Sequence, residues 1–216
     1  MPFADLDILV KPPVLIPRPE TEEWCVNLCE QFEKLKNRSL HILDLCTGSG
    51  CIALALARYF EKSQIVATDI SDLALECARE NAKHNKINNV RFVKSDLFES
   101  LDPSLFQYDL IVSNPPYIGS KEWKTLEPMV TEWEDRGALF SEHNGLAHIE
   151  KIISKAPLFI RPNQEMKMLQ LPQIVIEIGY RQGQQVKQLM RDALFDHVEI
   201  TKDLEGKDRI ASGRIQ

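Results

Sequence analysis

Apolar residues recur along this chain in two periods that alternate with one another. From Glu20 onward, Trp24, Leu28, Phe32 and Leu35 fall at steps of four and three, the spacing of one helical face, and this pattern runs to about Asn37. Leu40-His41-Ile42-Leu43-Asp44-Leu45 then reads as a strand. The alternation continues with a helix over Ile52–Phe60, a strand over Gln64–Thr68, a helix over Asp72–Lys83, and strands over Val90–Val93 and Asp109–Val112. Beyond these lie a helix over Gly145–Pro157, a strand over Gln173–Ile178 and a helix over Gln182–Leu194. Two last strands, His197–Thr201 and Arg209–Ser212, flank the turn-forming Glu205-Gly206-Lys207. Such alternation predicts an α/β fold: a doubly wound, Rossmann-like sheet of seven strands, parallel except for the last, whose short connection makes it antiparallel. Residues 1–17, punctuated by Pro2, Pro12, Pro13 and Pro17, predict an extended segment or hairpin ahead of it. The polar, proline-bounded stretch Arg161–Pro172 predicts an exposed loop.

Composition narrows this picture. A chain of 216 residues with 44% hydrophobic content suits one principal domain, divided here as a leading hairpin and loop (1–19) and an α/β domain (20–216). A formal charge of -6 gives no general attraction to a phosphate backbone, so direct nucleic-acid binding is not expected. No apolar run approaches the roughly 20 residues that span a bilayer, and neither a transit peptide nor a signal core precedes Pro12, so a soluble chain is expected, with no membrane partner. The five cysteines match no zinc or CxxC spacing; they predict free thiols in a reducing compartment, and no metal site.

The candidate chemistry sits at strand ends. The first strand of the sheet runs into Cys46-Thr47-Gly48-Ser49-Gly50 and a helix follows at once, so a ligand can approach a backbone bare of side chains at Gly48 and Gly50. The spacing is neither GxGxxG nor a P-loop, which fits a cofactor without phosphates. Asp69, ending the next strand, can accept from ribose hydroxyls; Asp96 can accept from an adenine amino group, with Leu97 packed on the ring. Asp44, Asp69 and Asp96 are each explained singly as strand-end or capping residues, but their shared phase with the glycine turn points to a nucleoside cofactor. These residues alone leave NAD open beside S-adenosylmethionine.

Asn114-Pro115-Pro116-Tyr117 follows the fourth strand, at the same edge. The Asn114 side-chain carbonyl and the Pro115 main-chain carbonyl can accept both N–H bonds of one planar amino group, aiming its lone pair at an electrophile. Proline suits such a turn because it lacks a donor, and Tyr117 offers a flat face. Asn114, Pro115 and Tyr117 are therefore the candidate catalytic residues. A plain proline turn would explain Pro-Pro alone, but not Pro-Pro between Asn and Tyr beside a cofactor turn.

Together these motifs resemble the class I methyltransferases. Leu15-Ile16-Pro17-Arg18-Pro19-Glu20-Thr21-Glu22 is similar to the leading motif of the HemK/PrmC family, whose members methylate the glutamine of the GGQ loop in peptide-chain release factors. Further likeness runs through Thr47–Gly50, Asn114–Ile118, Glu134–Leu139, Ile176–Gly179 and Asp203–Ile210. The resemblance implies S-adenosylmethionine as cofactor, S-adenosylhomocysteine as product and a release factor as partner. It implies cofactor contacts from Cys46 to Gly50, Asp69, Leu97 and Asn114. It makes Asn114 to Tyr117 the glutamine turn, with Arg18 and Glu20 shaping the substrate wall. The alternatives are an amino methyltransferase of DNA or RNA bases and an inactive cofactor-binding partner subunit.

Four departures stand out. Cys46 replaces the first glycine, so either the backbone there needs no positive φ or the turn is altered. Ser141-Glu142-His143-Asn144-Gly145-Leu146 replaces Gly-Gly-x-Asp-Gly-Leu, and Arg161–Pro172 is longer than the usual Pro-Gly-Gly turn. The family's N-terminal helical domain has no counterpart, as expected of a trimmed chain, a short member or a different mode of partner binding. A short, loop-extended, cysteine-containing member is most similar to the mitochondrial fungal branch, which implies the mitochondrial matrix, with the cytoplasm as the alternative.

Overall fold

A computed structural model describes residues 1–215. The chain opens with a hairpin of β1 (Pro2–Phe3) and β2 (Leu6–Asp7). Then come α1 (Pro19–Gln31), a single 3-10 turn at Glu33–Leu35, β3 (His41–Leu45), α2 (Cys51–Tyr59) and β4 (Gln64–Asp69). After α3 (Asp72–His84), β5 (Val90–Lys94) and β6 (Leu110–Ser113) follow the short helices α4 (Ser120–Trp123), α5 (Pro128–Trp133), α6 (Arg136–Leu139) and α7 (Glu142–Gly145). The chain finishes with α8 (Ala147–Phe159), α9 (Gln164–Met168), β7 (Ile174–Glu177), α10 (Gly183–Asp192), β8 (Phe195–Lys202) and β9 (Asp208–Ile215).

Seven strands form one sheet in the order β5-β4-β3-β6-β7-β9-β8. The pairs from β5 to β7 are parallel, whereas β9 inserts antiparallel between β7 and β8. The sheet grows outward from β3 to β5 and then reverses to β6 on the other side of β3. The carboxyl ends of β3 and β6 therefore diverge, and a crevice opens where the connections leave in opposite directions.

Side chains alternate between two cores because successive strand residues face opposite ways. Ile42, Leu110, Val112 and Val175 join α1, α2 and the hairpin on one face. Leu43, Ile111, Ile174 and Ile176 join α8 and α10 on the other. Phe3 and Ile8 are fully buried in the first core, so the leading hairpin is packed into the same body as the sheet. Pro19 opens α1, where its missing N–H leaves nothing unsatisfied, and the Ser71 hydroxyl caps α3 by accepting from Ala74 N at 3.3 Å.

The segment 161–172 corrects the expectation of an exposed loop. Asn163 caps α9 through Met166 N at 3.1 Å, and the fully buried Met166 and nearly buried Leu171 plug into the first core. The apolar residues here, Met166, Met168, Leu169 and Leu171, are confined to six positions between polar and proline-bounded flanks, too short a run to set a period. Among the described residues, no helix is long and apolar enough to cross a membrane, and all five cysteines are free.

Candidate functional site

The turn after β3 is held from three sides. Thr47 N donates to Thr68 O at 2.9 Å, Gly48 N to Asp69 Oδ2 at 2.9 Å, and the Thr47 hydroxyl to Asp44 Oδ2 at 2.6 Å. Asp44 is fully buried, and burial pushes its carboxyl up to about 7 against the lowering effect of the Thr47 hydrogen bond. The backbone is left-handed at Cys46 (φ 59°), Gly48 (φ 56°) and Gly50 (φ 83°). A positive φ is thus required at Cys46, and the cysteine adopts it at a cost of about 1–2 kcal/mol relative to an unstrained residue.

The two glycines serve different ends. A Cβ placed on Gly48 would meet no atom within 4 Å, because the backbone faces the open cavity; one on Gly50 would sit 3.0 Å from the Ala78 Cβ, where α3 packs against the start of α2. Cys46, Gly48, Asp69, Asp96, Leu97 and Asn114 line one continuous cavity. Thr47, Ser49 and Gly50 do not reach its wall: Thr47 and Ser49 are buried behind it and hold the shape of the turn. Asn81, also buried, donates to the carbonyls of Ser49 and Leu9 at 2.9 Å each, tying the N-terminal segment to the turn.

Asp69 is partly fixed. Its oxygens accept Gly48 N and Ser71 N at 2.9 Å each, which leaves lone pairs on both for a further donor. Burial raises its pKa, against those backbone hydrogen bonds. Asp96 stands exposed at the rim, and the buried Leu97 reaches the cavity from a left-handed backbone (φ 50°). His148 also lines the cavity, with Ser141 Oγ 2.8 Å from its Nδ1; burial lowers its pKa.

A second, smaller crevice adjoins the first. Asn114, Pro115, Tyr117 and Arg18 line it, and Leu15, Asn114 and Ala138 belong to both walls. Asn114 therefore stands where the two spaces meet. The structure does not bring Glu20 there. On α1 the buried face carries Thr21, Trp24, Cys25, Leu28 and Cys29, so Glu20, one residue earlier and about 100° around the helix, lines a separate cavity with Trp24 and Arg209. Arg18 reaches the crevice but is engaged by Glu134, with two bonds of 2.6 and 2.8 Å to a carboxylate only 5% exposed. With Asp135 N donating to Pro13 O at 2.8 Å, this pair straps residues 134–135 over the N-terminal segment.

Behind the crevice lies a buried carboxylate. Glu177, 1% exposed at the end of β7, accepts the Thr21 hydroxyl at 2.7 Å and the Trp24 indole N–H at 2.8 Å on Oε2, and the Tyr117 hydroxyl at 3.2 Å on Oε1. Burial raises the pKa of Glu177 while these donors and Arg209 lower it. Burial likewise raises the Tyr117 phenol, with the Glu177 charge adding to the effect. Asn114 Nδ2 donates to Thr21 Oγ1 at 3.2 Å. The turn is buttressed from the far side as well: Gln182 Nε2 donates to the Tyr117 carbonyl at 3.0 Å, and Gly145 packs so closely that an added Cβ would lie 2.0 Å from that same oxygen.

The motifs assign no role to Thr21, Trp24, Glu177 or Gln182, although Thr21 and Glu177 stand inside segments that carry the family likeness and each has a further signal. Glu177 is a carboxylate inside the apolar run Ile174–Ile178, where burial without partners would be costly, and Thr21 lies on the helical face shared by Trp24 and Leu28. Nothing in the sequence pairs them.

The arrangement agrees with what the chain is similar to. Residues 27–136 match the Methyltransferase small domain family. Among solved structures, a ribosomal protein L11 methylase from Lactobacillus delbrueckii subsp. bulgaricus superposes with a TM-score of 0.61 at 21% identity, covering 94% of this chain and 82% of the other. A methyltransferase from Pyrococcus furiosus gives 0.67 at 18% identity, with 99% and 91% covered. At such identities these share the fold alone. Curated relatives are nearer. A release factor glutamine methyltransferase of Lactococcus lactis subsp. lactis is 41% identical over 97% of this chain and 73% of its own length. Another, of Fusobacterium nucleatum subsp. nucleatum, is 37% identical over 96% of this chain and 56% of its own length. Both relatives are bacterial and lend no support to a mitochondrial placement. At 41% identity over nearly its whole length, and with the family match over residues 27–136, the chain belongs to the release factor glutamine methyltransferase family.

Proposed function

We propose that this chain transfers a methyl group from S-adenosylmethionine to the side-chain amide nitrogen of the glutamine in the GGQ loop of a peptide-chain release factor. The observation that carries this reading is the position of Asn114, on the shared wall of the cavity beside the glycine turn and a smaller crevice. The cavity fits the cofactor: Gly48 leaves backbone open to it, and Asp69 keeps acceptor capacity for ribose hydroxyls. Asp96 and Leu97 fit an adenine at the rim, Cys46 lines the same cavity, and Asn114 borders the crevice. The bound sulfonium cofactor would supply an electrophilic methyl group.

The protein's own task is to present the nitrogen. An amide nitrogen is a weak nucleophile because its lone pair is delocalised, so positioning and charge stabilisation must make up the difference. The Asn114 side-chain carbonyl and the Pro115 main-chain carbonyl accept the two N–H bonds, and Tyr117 backs the planar group. Positive charge developing on nitrogen strengthens both hydrogen bonds, and the proton leaves to solvent once the methyl is in place. Arg18 contributes by holding Glu134 and thereby the crevice wall, not as a direct ligand. The net charge of -6 disfavours a nucleic-acid substrate. Asn114→Ala is expected to keep cofactor binding and lower turnover by on the order of 10²-fold. The assay is label transfer from S-adenosylmethionine to a GGQ-containing release factor, with DNA and RNA in parallel. Label on nucleic acid alone, or undiminished turnover by the variant, refutes the assignment.

A further inference from the structure

We infer that Thr21 and Glu177 are positioning residues that lock the side-chain amide of Asn114 in the one orientation competent for catalysis. This rests on the reading that Asn114 accepts from the target amide. The argument is one of proton counting. Glu177 Oε2 takes the Trp24 indole N–H, a group that can only donate, so it acts as the acceptor and the Thr21 hydroxyl, 2.7 Å from it, spends its single proton there. Its oxygen then offers only lone pairs to Asn114 at 3.2 Å, and the amide group it faces must be the NH2. The Asn114 carbonyl is left at the other edge of the planar amide, free to accept. A flipped amide would set its oxygen against the lone pairs of Thr21 and offer the substrate N–H donors where it needs acceptors.

The lock is rigid because its base is over-determined. Trp24 shares Oε2 with Thr21, and Tyr117, whose hydroxyl also lies 3.5 Å from an Arg209 nitrogen, holds Oε1. Thr21 and Glu177 are each 1% exposed, so no water competes for these positions. One carboxylate thus sets both ends of the tetrapeptide, through Thr21 at Asn114 and directly at Tyr117. Neither Thr21 nor Glu177 lines the cofactor cavity, so their effect falls on turnover and not on cofactor affinity.

The test exploits the two parts of the threonine side chain. Thr21→Val keeps its shape and loses the hydroxyl; Thr21→Ser keeps the hydroxyl and loses a methyl. With the full chain and a GGQ-containing release factor, Thr21→Val should lower kcat by on the order of 10-fold or more, while Thr21→Ser stays within about threefold of the parent. Binding of S-adenosylhomocysteine by calorimetry should be unchanged in both. Should the valine variant not fold, Thr21→Ala, which cannot clash, replaces it with the same expectation. In an Asn114→Ala background Thr21→Val should cost nothing more, because a residue that acts only through Asn114 has nothing left to orient. Equal losses for valine and serine, parental turnover for valine, or a full further loss in the Asn114→Ala background overturns the inference. Parental turnover for Asn114→Ala itself would instead overturn the functional reading on which it stands.

Discussion

Gly145 offers the sharpest perturbation of the site from outside it. It has φ 91°, and a Cβ built there would lie 2.0 Å from the Tyr117 carbonyl oxygen and 2.6 Å from Gln182 Nε2. Real Cβ contacts stay beyond about 3 Å, so Gly145→Ala must open the gap by roughly 1 Å. The Gln182 amide is a side-chain end and can yield, but the carbonyl belongs to the turn that carries Asn114. Two costs add: about 1–2 kcal/mol for an alanine held in the left-handed region, and about 1–3 kcal/mol for forcing apart packed backbone. A turn displaced by about 1 Å lowers turnover by on the order of 10²-fold, because the nitrogen no longer meets both acceptors in line. Gly206→Ala separates the two costs. That glycine has φ 78° but an added Cβ would meet nothing within 4 Å, so it should show only the conformational cost and keep full activity. Urea melts and single-turnover methylation of a release factor, run on both variants, read the outcome. If Gly145→Ala is no less stable than Gly206→Ala and turns over normally, the claim that this packing sets the turn fails.

Two further expectations follow from the same geometry. Gly48→Ala, whose methyl would enter the cavity and touch no protein atom, should weaken S-adenosylhomocysteine binding by about 10-fold or more while lowering stability by only the ~1 kcal/mol of its positive φ (56°); unchanged affinity by calorimetry would remove Gly48 from the cofactor wall. Asp44, with its carboxyl pushed up to about 7 from 3.8, holds a proton in the native state that the unfolded chain has released. Its contribution therefore lowers stability as pH rises through that window, by ~1.4 kcal/mol for each unit of displacement. Asp44→Asn cannot titrate and should lose this decline, so parallel urea midpoints for parent and variant from about pH 5 to about pH 8 would contradict it.

What the sequence determined by itself was the alternation of periods, and with it the strands, their carboxyl ends and the two motifs that sit there. These are local properties: a strand pattern such as Leu40–Leu45 or a turn such as Cys46–Gly50 carries its own spacing and its own conformational demand. It could not decide that β9 inserts between β7 and β8, since strand order is a long-range pairing that no local period encodes, nor that Met166 anchors residues 161–172 in the core. The left-handed backbone at Cys46 was hidden because a cysteine is an uncommon occupant of that region. Most of all, tertiary structure alone joined Asn114 to Thr21 and Glu177, residues 93 and 156 positions apart along the two hydrogen bonds that link them. Motifs name the groups that can react. Which lone pair faces which proton is settled only when distant strands and helices bury those groups together, where each hydrogen bond constrains the next.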